Sequence, residues 1–272
     1  MINSMIHVGG VPEHFNLPWH IAMEEGYFAE QGIDLRWKDY KGGTGAMCQD
    51  LESGELDIAL LLTEGAIAAI EKGNPSYIHS VYVGSSLIWG IHTGFNSKVE
   101  DPAVSGTVTY AVSRMGSGSH LMALVDRIQR KLPLEDVKWS VVHNLDGAVD
   151  SLTKLNSDLF LWEKFTTAPF VYSGQLRRVG ELPTPWPCFV MTVRKEAHIS
   201  EATLDKINIV LQRAVAFIQQ SISPIQLISS RYQLKEDDVA LWYQTIQWTP
   251  GATLDEKVIQ NIKAYLKQAN IL

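Results

Sequence analysis

The chain has 272 residues, 46% hydrophobic and 19% charged, with 23 basic against 30 acidic side chains and a formal net charge of −7. This is ordinary globular composition in a length beyond the usual single core, so two lobes are expected and a disordered arm is not. The acidic balance, with no Lys/Arg cluster able to neutralise a run of phosphates, excludes nucleic acid as a partner.

Met1 to Val8 lacks the basic start and apolar stretch of a secretory signal, so the sequence as it stands reads as cytoplasmic, and as periplasmic or lipid-anchored only if a leader has been removed. No apolar run approaches the roughly 20 residues that span a bilayer, and direct membrane insertion is not expected. Ile6 to Val8 reads as a first strand, and Leu17 to Glu25 as a short helix framed by Pro18 and Gly26. Ile33, Leu35 and Trp37 alternate with charged residues as a half-solvated strand does. A helix follows through Glu52, with Thr44 as its cap and Gly54 as its stop. Asp57 to Leu62 is a buried strand, and Thr63-Glu64-Gly65 opens a helix from Ala66 to Lys72.

A second series starts near Phe95: strand 107–112, loop 113–119, helix 120–130, strand 137–142, helix 145–154 and strand 158–162. Cys188 to Val193 reads as a further strand, after which the pattern is helical to the end. Two α/β lobes are therefore expected, each a mostly parallel sheet flanked by helices. Lobe 1 takes residues 1–90 and 188–272, lobe 2 takes 91–187, and hinge crossings fall near Ser86 to Thr93 and Thr184 to Phe189. No internal repeat is evident.

In open α/β sheets ligands bind beyond the carboxyl ends of the strands, where helix N-termini present unpaired N–H groups. Five loops lie there: Glu13-His14-Phe15, Gly42-Gly43-Thr44, Thr63-Glu64-Gly65, Arg114-Met115-Gly116-Ser117-Gly118-Ser119, and Phe160-Leu161-Trp162-Glu163. The glycines of the fourth permit close backbone approach, its serines carry hydroxyls, and the helix behind it favours an anionic group. The plainer reading is a tight turn in which Ser119 only caps the helix. Without Gly-Lys-Ser/Thr it is no nucleotide triphosphate loop. Glu64 and Glu163 each suit either a cationic ligand group or a helix dipole. A histidine on a loop, as His14 is, reads as solvent-facing before it reads as catalytic. Trp162 and Trp186, at a strand end and a crossing, are placed to cover a planar ligand. No catalytic residue is assigned, no cofactor is expected, and neither Cys48 nor Cys188 sits in a metal or redox spacing, so no metal site is expected.

The segments Gly26-Tyr27-Phe28-Ala29-Glu30-Gln31-Gly32-Ile33-Asp34-Leu35, Gly54-Glu55-Leu56-Asp57-Ile58-Ala59 and Ser113 to His120 resemble the nitrate, sulfonate and thiamin-precursor branch of the type II periplasmic binding proteins, over nearly the whole chain. The resemblance implies a two-lobed periplasmic-binding-protein fold that encloses a small, planar, partly anionic metabolite. It also implies ligand contacts from Glu13, His14, Phe15, Gly43, Thr44, Thr63, Glu64, Ser117 to Ser119, Trp162 and Glu163, and an ABC-transporter permease as partner. The alternative is an enzyme on the same scaffold, by thiamin-precursor synthesis or elimination chemistry. The iron-binding cysteine cluster of the synthases is absent, since Pro185-Trp186-Pro187-Cys188-Phe189 holds one cysteine. A bulky apolar residue at Ser117 is expected to weaken binding while hardly changing stability.

Overall fold

The computed structural model describes residues 5–103 and 106–272, so the first four residues of the segment read for an export leader lie outside it. In chain order it runs β1 (Ile6–Gly10), a 3-10 turn, α1 (Leu17–Glu24), α2 (Tyr27–Glu30), β2 (Leu35–Asp39), α3 (Gly43–Ser53), β3 (Ile58–Leu62), α4 (Thr63–Glu71) and β4 (Ser76–Val83). Then follow β5 (Ile88–Gly94), β6 (Val108–Val112), α5 (Gly118–Gln129), β7 (Val137–Val141), α6 (Leu145–Thr153), β8 (Leu159–Glu163), α7 (Ala168–Tyr172) and β9 (Leu176–Pro183). The chain ends with β10 (Phe189–Arg194), α8 (Glu201–Gln220), α9 (Pro224–Tyr232), α10 (Glu236–Tyr243), β11 (Trp248–Ala252) and α11 (Glu256–Gln268). No helix of the described residues is long and apolar enough to cross a membrane.

The residues form two compact units, Met1–Ser85 with Trp186–Asn261 and Ser86–Pro185 with Ile262–Leu272. The crossing segment 86–93 thus contains β5, a strand of the second unit's sheet, because Trp89 to His92 pair with Phe160 to Glu163 of β8. The last eleven residues, read above with lobe 1, group with the second unit.

The first sheet has the order β11-β4-β10-β3-β1-β2 and the second β7-β6-β8-β5-β9. In the first, β1 pairs in parallel with β2 and β3, while β10 pairs antiparallel with both β3 and β4. The second repeats this arrangement: β6 is parallel to β7 and β8, and β5 is antiparallel to both β8 and β9. The sheets are therefore mixed rather than mostly parallel. Each α/β series runs one way, and the strand on a crossing segment is inserted into it running the other way. The sheet orders also reveal a structural repeat that the residues do not display.

Each core follows from the alternation of its strands and the apolar stripe of its helices. In the first unit Tyr40, Met47, Leu51, Leu56, Ala59, Leu61, Ala66 and Val190 form one buried cluster under α3 and α4. On α8 the buried positions Leu204, Ile207, Val210, Leu211, Ala214 and Ile218 recur at helical spacing against α1 and β11. In the second unit Ala111, Ala148, Val149, Leu152, Phe160 and Leu176 fill the space between α6 and the sheet.

Candidate functional site

In the first unit three segments meet at the carboxyl end of β3. Helix α4 starts directly on that strand, so Thr63 and Glu64 lie in its first turn rather than in a loop. The Thr63 N–H donates to the Cys188 carbonyl at 3.1 Å and its hydroxyl to the Pro187 carbonyl, which ties α4 to the segment entering β10. Thr44 was expected to cap α3; it sits instead inside the first turn, behind Gly43 at φ 63°, and its Oγ1 accepts from the Leu62 N–H at 3.3 Å. That stitch brings α3 close to α4: a Cβ on Gly65 would stand 2.6 Å from the Thr44 methyl.

Glu64 is 1% exposed. Its Oε2 accepts from the Trp186 indole N–H at 2.8 Å. Its Oε1 is buried and has no hydrogen-bond partner among the described residues. Burial pushes the carboxyl up to about 7, against the opposing pull of its own backbone N–H and the Trp186 indole. Trp186 is itself buried, with its polar edge committed to Glu64. No local pattern could have shown this pair, which joins residues 122 positions apart.

The loop after β1 closes into a 3-10 turn at His14–Asn16. His14 is not solvent-facing, as a loop histidine was expected to be. It is 2% exposed, edge-on to Trp242 at 4.2 Å between centroids and stacked on Phe15 at 4.7 Å. Burial pushes His14 down to about 3, so the ring is neutral at physiological pH. Phe15 packs on Phe189 at 5.1 Å, and its carbonyl accepts from the Tyr82 hydroxyl and the Trp248 indole, both at 2.8 Å. This aromatic set fixes the turn, and Glu13 is left half-buried at its edge.

In the second unit the loop between β6 and α5 is held by its own side chains. Ser117, not Ser119, caps α5, accepting from the His120 N–H at 3.3 Å. The Ser119 hydroxyl accepts from the Ser113 N–H at 3.0 Å and bonds the Ser117 hydroxyl at 3.0 Å. Gly116, at φ 75°, donates its N–H to His120 Nδ1 at 3.0 Å, and Arg114 accepts the Ser117 N–H on its carbonyl. The hydroxyls expected to face a ligand are therefore engaged within the loop, and Ser117 and Ser119 are buried. The N–H groups of Gly118 and Ser119 lie ahead of the helix's own ladder.

At the end of β8, Trp162 is half-buried and stacked on Phe160 at 5.3 Å. Glu163 is buried and Oε2 accepts from the Phe165 N–H at 3.0 Å, the Thr166 N–H at 2.6 Å and the Thr166 hydroxyl at 2.8 Å. Burial raises it to about 6, opposed by the Thr166 and Phe165 N–H groups. The next residue but three, Thr167, bonds Nε2 of His92 on β5 at 2.9 Å. His92, held down to about 4 by burial, went unnoticed in the sequence because it lies inside an apolar run. No group of His, Cys, Asp and Glu among the described residues is arranged to hold a metal ion.

A family model described as Ca3427-like PBP matches residues 89–182. No curated protein sequence matches the chain. The structure of the Candida albicans CA3427 gene product, described as defining a new family with the generic periplasmic binding protein fold, aligns with TM-score 0.90 at 27% identity, covering 98% of this chain and 90% of that one. The periplasmic aliphatic sulphonate binding protein SsuA from Escherichia coli aligns with TM-score 0.73 at 16% identity over 98% of this chain and 88% of its own. The alkanesulfonate-binding protein SsuA from Xanthomonas axonopodis pv. citri, bound to MOPS, aligns with TM-score 0.80 at 14% identity over 99% and 94%. The thiamin-precursor part of the resemblance gains no support from these likenesses. With its paired mixed sheets and these alignments over nearly its full length, the chain has the type II periplasmic-binding-protein fold.

Proposed function

We propose that the chain is a solute-binding protein for a small, planar, partly anionic metabolite, acting like a transport receptor with an ABC-transporter permease as partner. The observation that carries this reading is the polar set Thr63, Glu64 and Trp186, buried where the parallel strands of the first unit end. Buried polar groups in a core are ordinarily satisfied, and one with an idle acceptor at the ligand end of an α/β sheet is a recognition group. In the second unit, taken by itself, the first-turn N–H groups of α5 are of the kind that hold an anion. His14 offers no acid or base for catalysis, since its ring is neutral and enclosed by aromatic rings.

The test is native mass spectrometry of the purified protein, followed by titration calorimetry with any molecule it carries. One small molecule per chain, bound without turnover, is the expected result. A solute present at 100 times its Kd stabilises the fold by about 2.7 kcal/mol, which a thermal melt detects. Conversion of the bound molecule to a product would favour the enzyme instead.

A further inference from the structure

Glu64 stands in the first turn of α4, the place where a helix offers N–H groups to an anion. In this chain the protein's own carboxylate takes that place. Trp186 fixes one oxygen and leaves Oε1 buried without a donor. None of the ion pairs among the described residues reaches Glu64; in this unit they join Asp57 to Arg194 and His7, Asp50 to Lys38, Glu30 to Arg213, Glu24 to Arg231 and Glu201 to His79. A sulfonate or phosphonate has no N–H to give that oxygen and, wherever the carboxyl is ionised, would set one negative charge against another.

We propose that Glu64 is the recognition group for a nitrogen-bearing part of the solute, an ammonium, amidinium or protonated aminoheterocycle whose N–H donates to Oε1, and that it excludes sulfonates and phosphonates from this position. The inference rests on the solute-binding reading and gives that solute a chemical class; the anionic part of the molecule is held away from Glu64. The hydrogen-bond donor on the carboxyl is the Trp186 indole, and no charged neighbour contributes to its position near 7. A bound cation restores the ionised form, so complex formation at about pH 6 releases a proton.

The experiment compares wild type, Glu64→Gln and Trp186→Phe by thermal shift and calorimetry. The probes are benzamidine and 4-aminopyridine on one side, methanesulfonate and methylphosphonate on the other. Wild type is expected to bind at least one nitrogen probe, with proton release in buffers of differing ionisation enthalpy. Glu64→Gln should weaken that binding tenfold or more and abolish the proton release. Trp186→Phe, which keeps a ring but loses the indole donor, should weaken it severalfold, and it decides the matter if the glutamine variant does not fold. Wild type binding the anions, with affinity unchanged in Glu64→Gln, would overturn the inference and leave the solute-binding reading standing. Failure of wild type to bind any probe, together with no co-purifying molecule, would overturn both.

Discussion

Five strands of the first sheet repeat the order of the second, β11 being the extra edge strand, and each sheet puts a buried glutamate at the carboxyl end of the corresponding strand: Glu64 beyond β3 and Glu163 at the end of β8. Both are nearly inaccessible, at 1% and 4%, and burial raises both. They differ in what reaches them. Glu163 gathers three donors from Phe165 and Thr166 and so ties down the turn into α7. Glu64 has one indole on one oxygen and nothing from the protein on the other. Burial alone therefore does not separate a structural carboxylate from a recognition group; the count of donors does.

The sharpest break of that comparison is to truncate the structural member. Glu163→Ala leaves three donors without their acceptor and should cost about 4 kcal/mol in urea unfolding, since each lost bond to a charged partner is worth roughly 1.5 to 3 kcal/mol and the effects overlap. An unchanged midpoint would put Glu163 in the same class as Glu64.

Next in size is the pH dependence of the unliganded protein. Glu64 is raised from 4.5 to about 7, so its contribution is fully present below about 4.5 and is lost as pH rises through about 7. At about 1.4 kcal/mol per pKa unit this is on the order of 3 kcal/mol. Glu163 has the same sign, but its loss is complete nearer pH 6. His14 and His92 have the opposite sign, stabilising above about 6.5 and losing that contribution as pH falls through about 4 and then 3. From about pH 6 to 8 the loss at Glu64 offsets the gain from the two histidines, so stability should be nearly level in wild type and rise with pH in Glu64→Gln. The same slope in both proteins would remove Glu64 from the balance.

The smallest effect concerns the serine loop of the second unit. Ser117→Ala removes the N-cap of α5 and should cost about 1 kcal/mol in thermal melts. The expectation that a bulky residue there would spare stability does not hold, because Ser117 is 3% exposed and bonded to Ser119. Ser117→Leu destabilises the loop whatever it does to a ligand.

The α/β series was legible because strand alternation and helical spacing are local signals: β1, α1, β3, α4, β6, α5 and β8 all lie within a few residues of their expected places. Four strands were missed, β4 (Ser76–Val83) among them, and the other three fail locally for identifiable reasons. β5 holds Gly90, His92 and Gly94 inside an apolar run and resembled a crossing, and β9 carries Arg177, Arg178 and Glu181 among few apolar residues. β11 begins Trp248-Thr249-Pro250-Gly251, which reads as a turn. At the candidate site the loops were legible from their position after strands, but side-chain commitments were not. Whether Ser119 caps its helix or closes back on Ser113, and whether Trp186 is an open wall or a donor to Glu64, depends on contacts that no spacing encodes.

The insertion of β10 between β3 and β4 also sets the order in which the chain can fold. Every strand of the second sheet lies in the continuous stretch from Ile88 to Pro183, so that sheet can assemble as soon as this stretch has left the ribosome. The first sheet cannot. Its β3 and β4 run the same way and wait, each with an unpaired edge, until Phe189–Arg194 has been synthesised. Exposed strand edges recruit other chains, and non-local pairing is slow. Aggregation during expression should therefore begin at the half-built first sheet, and a chain cut off before Phe189 should aggregate through the adhesive remnant of that sheet.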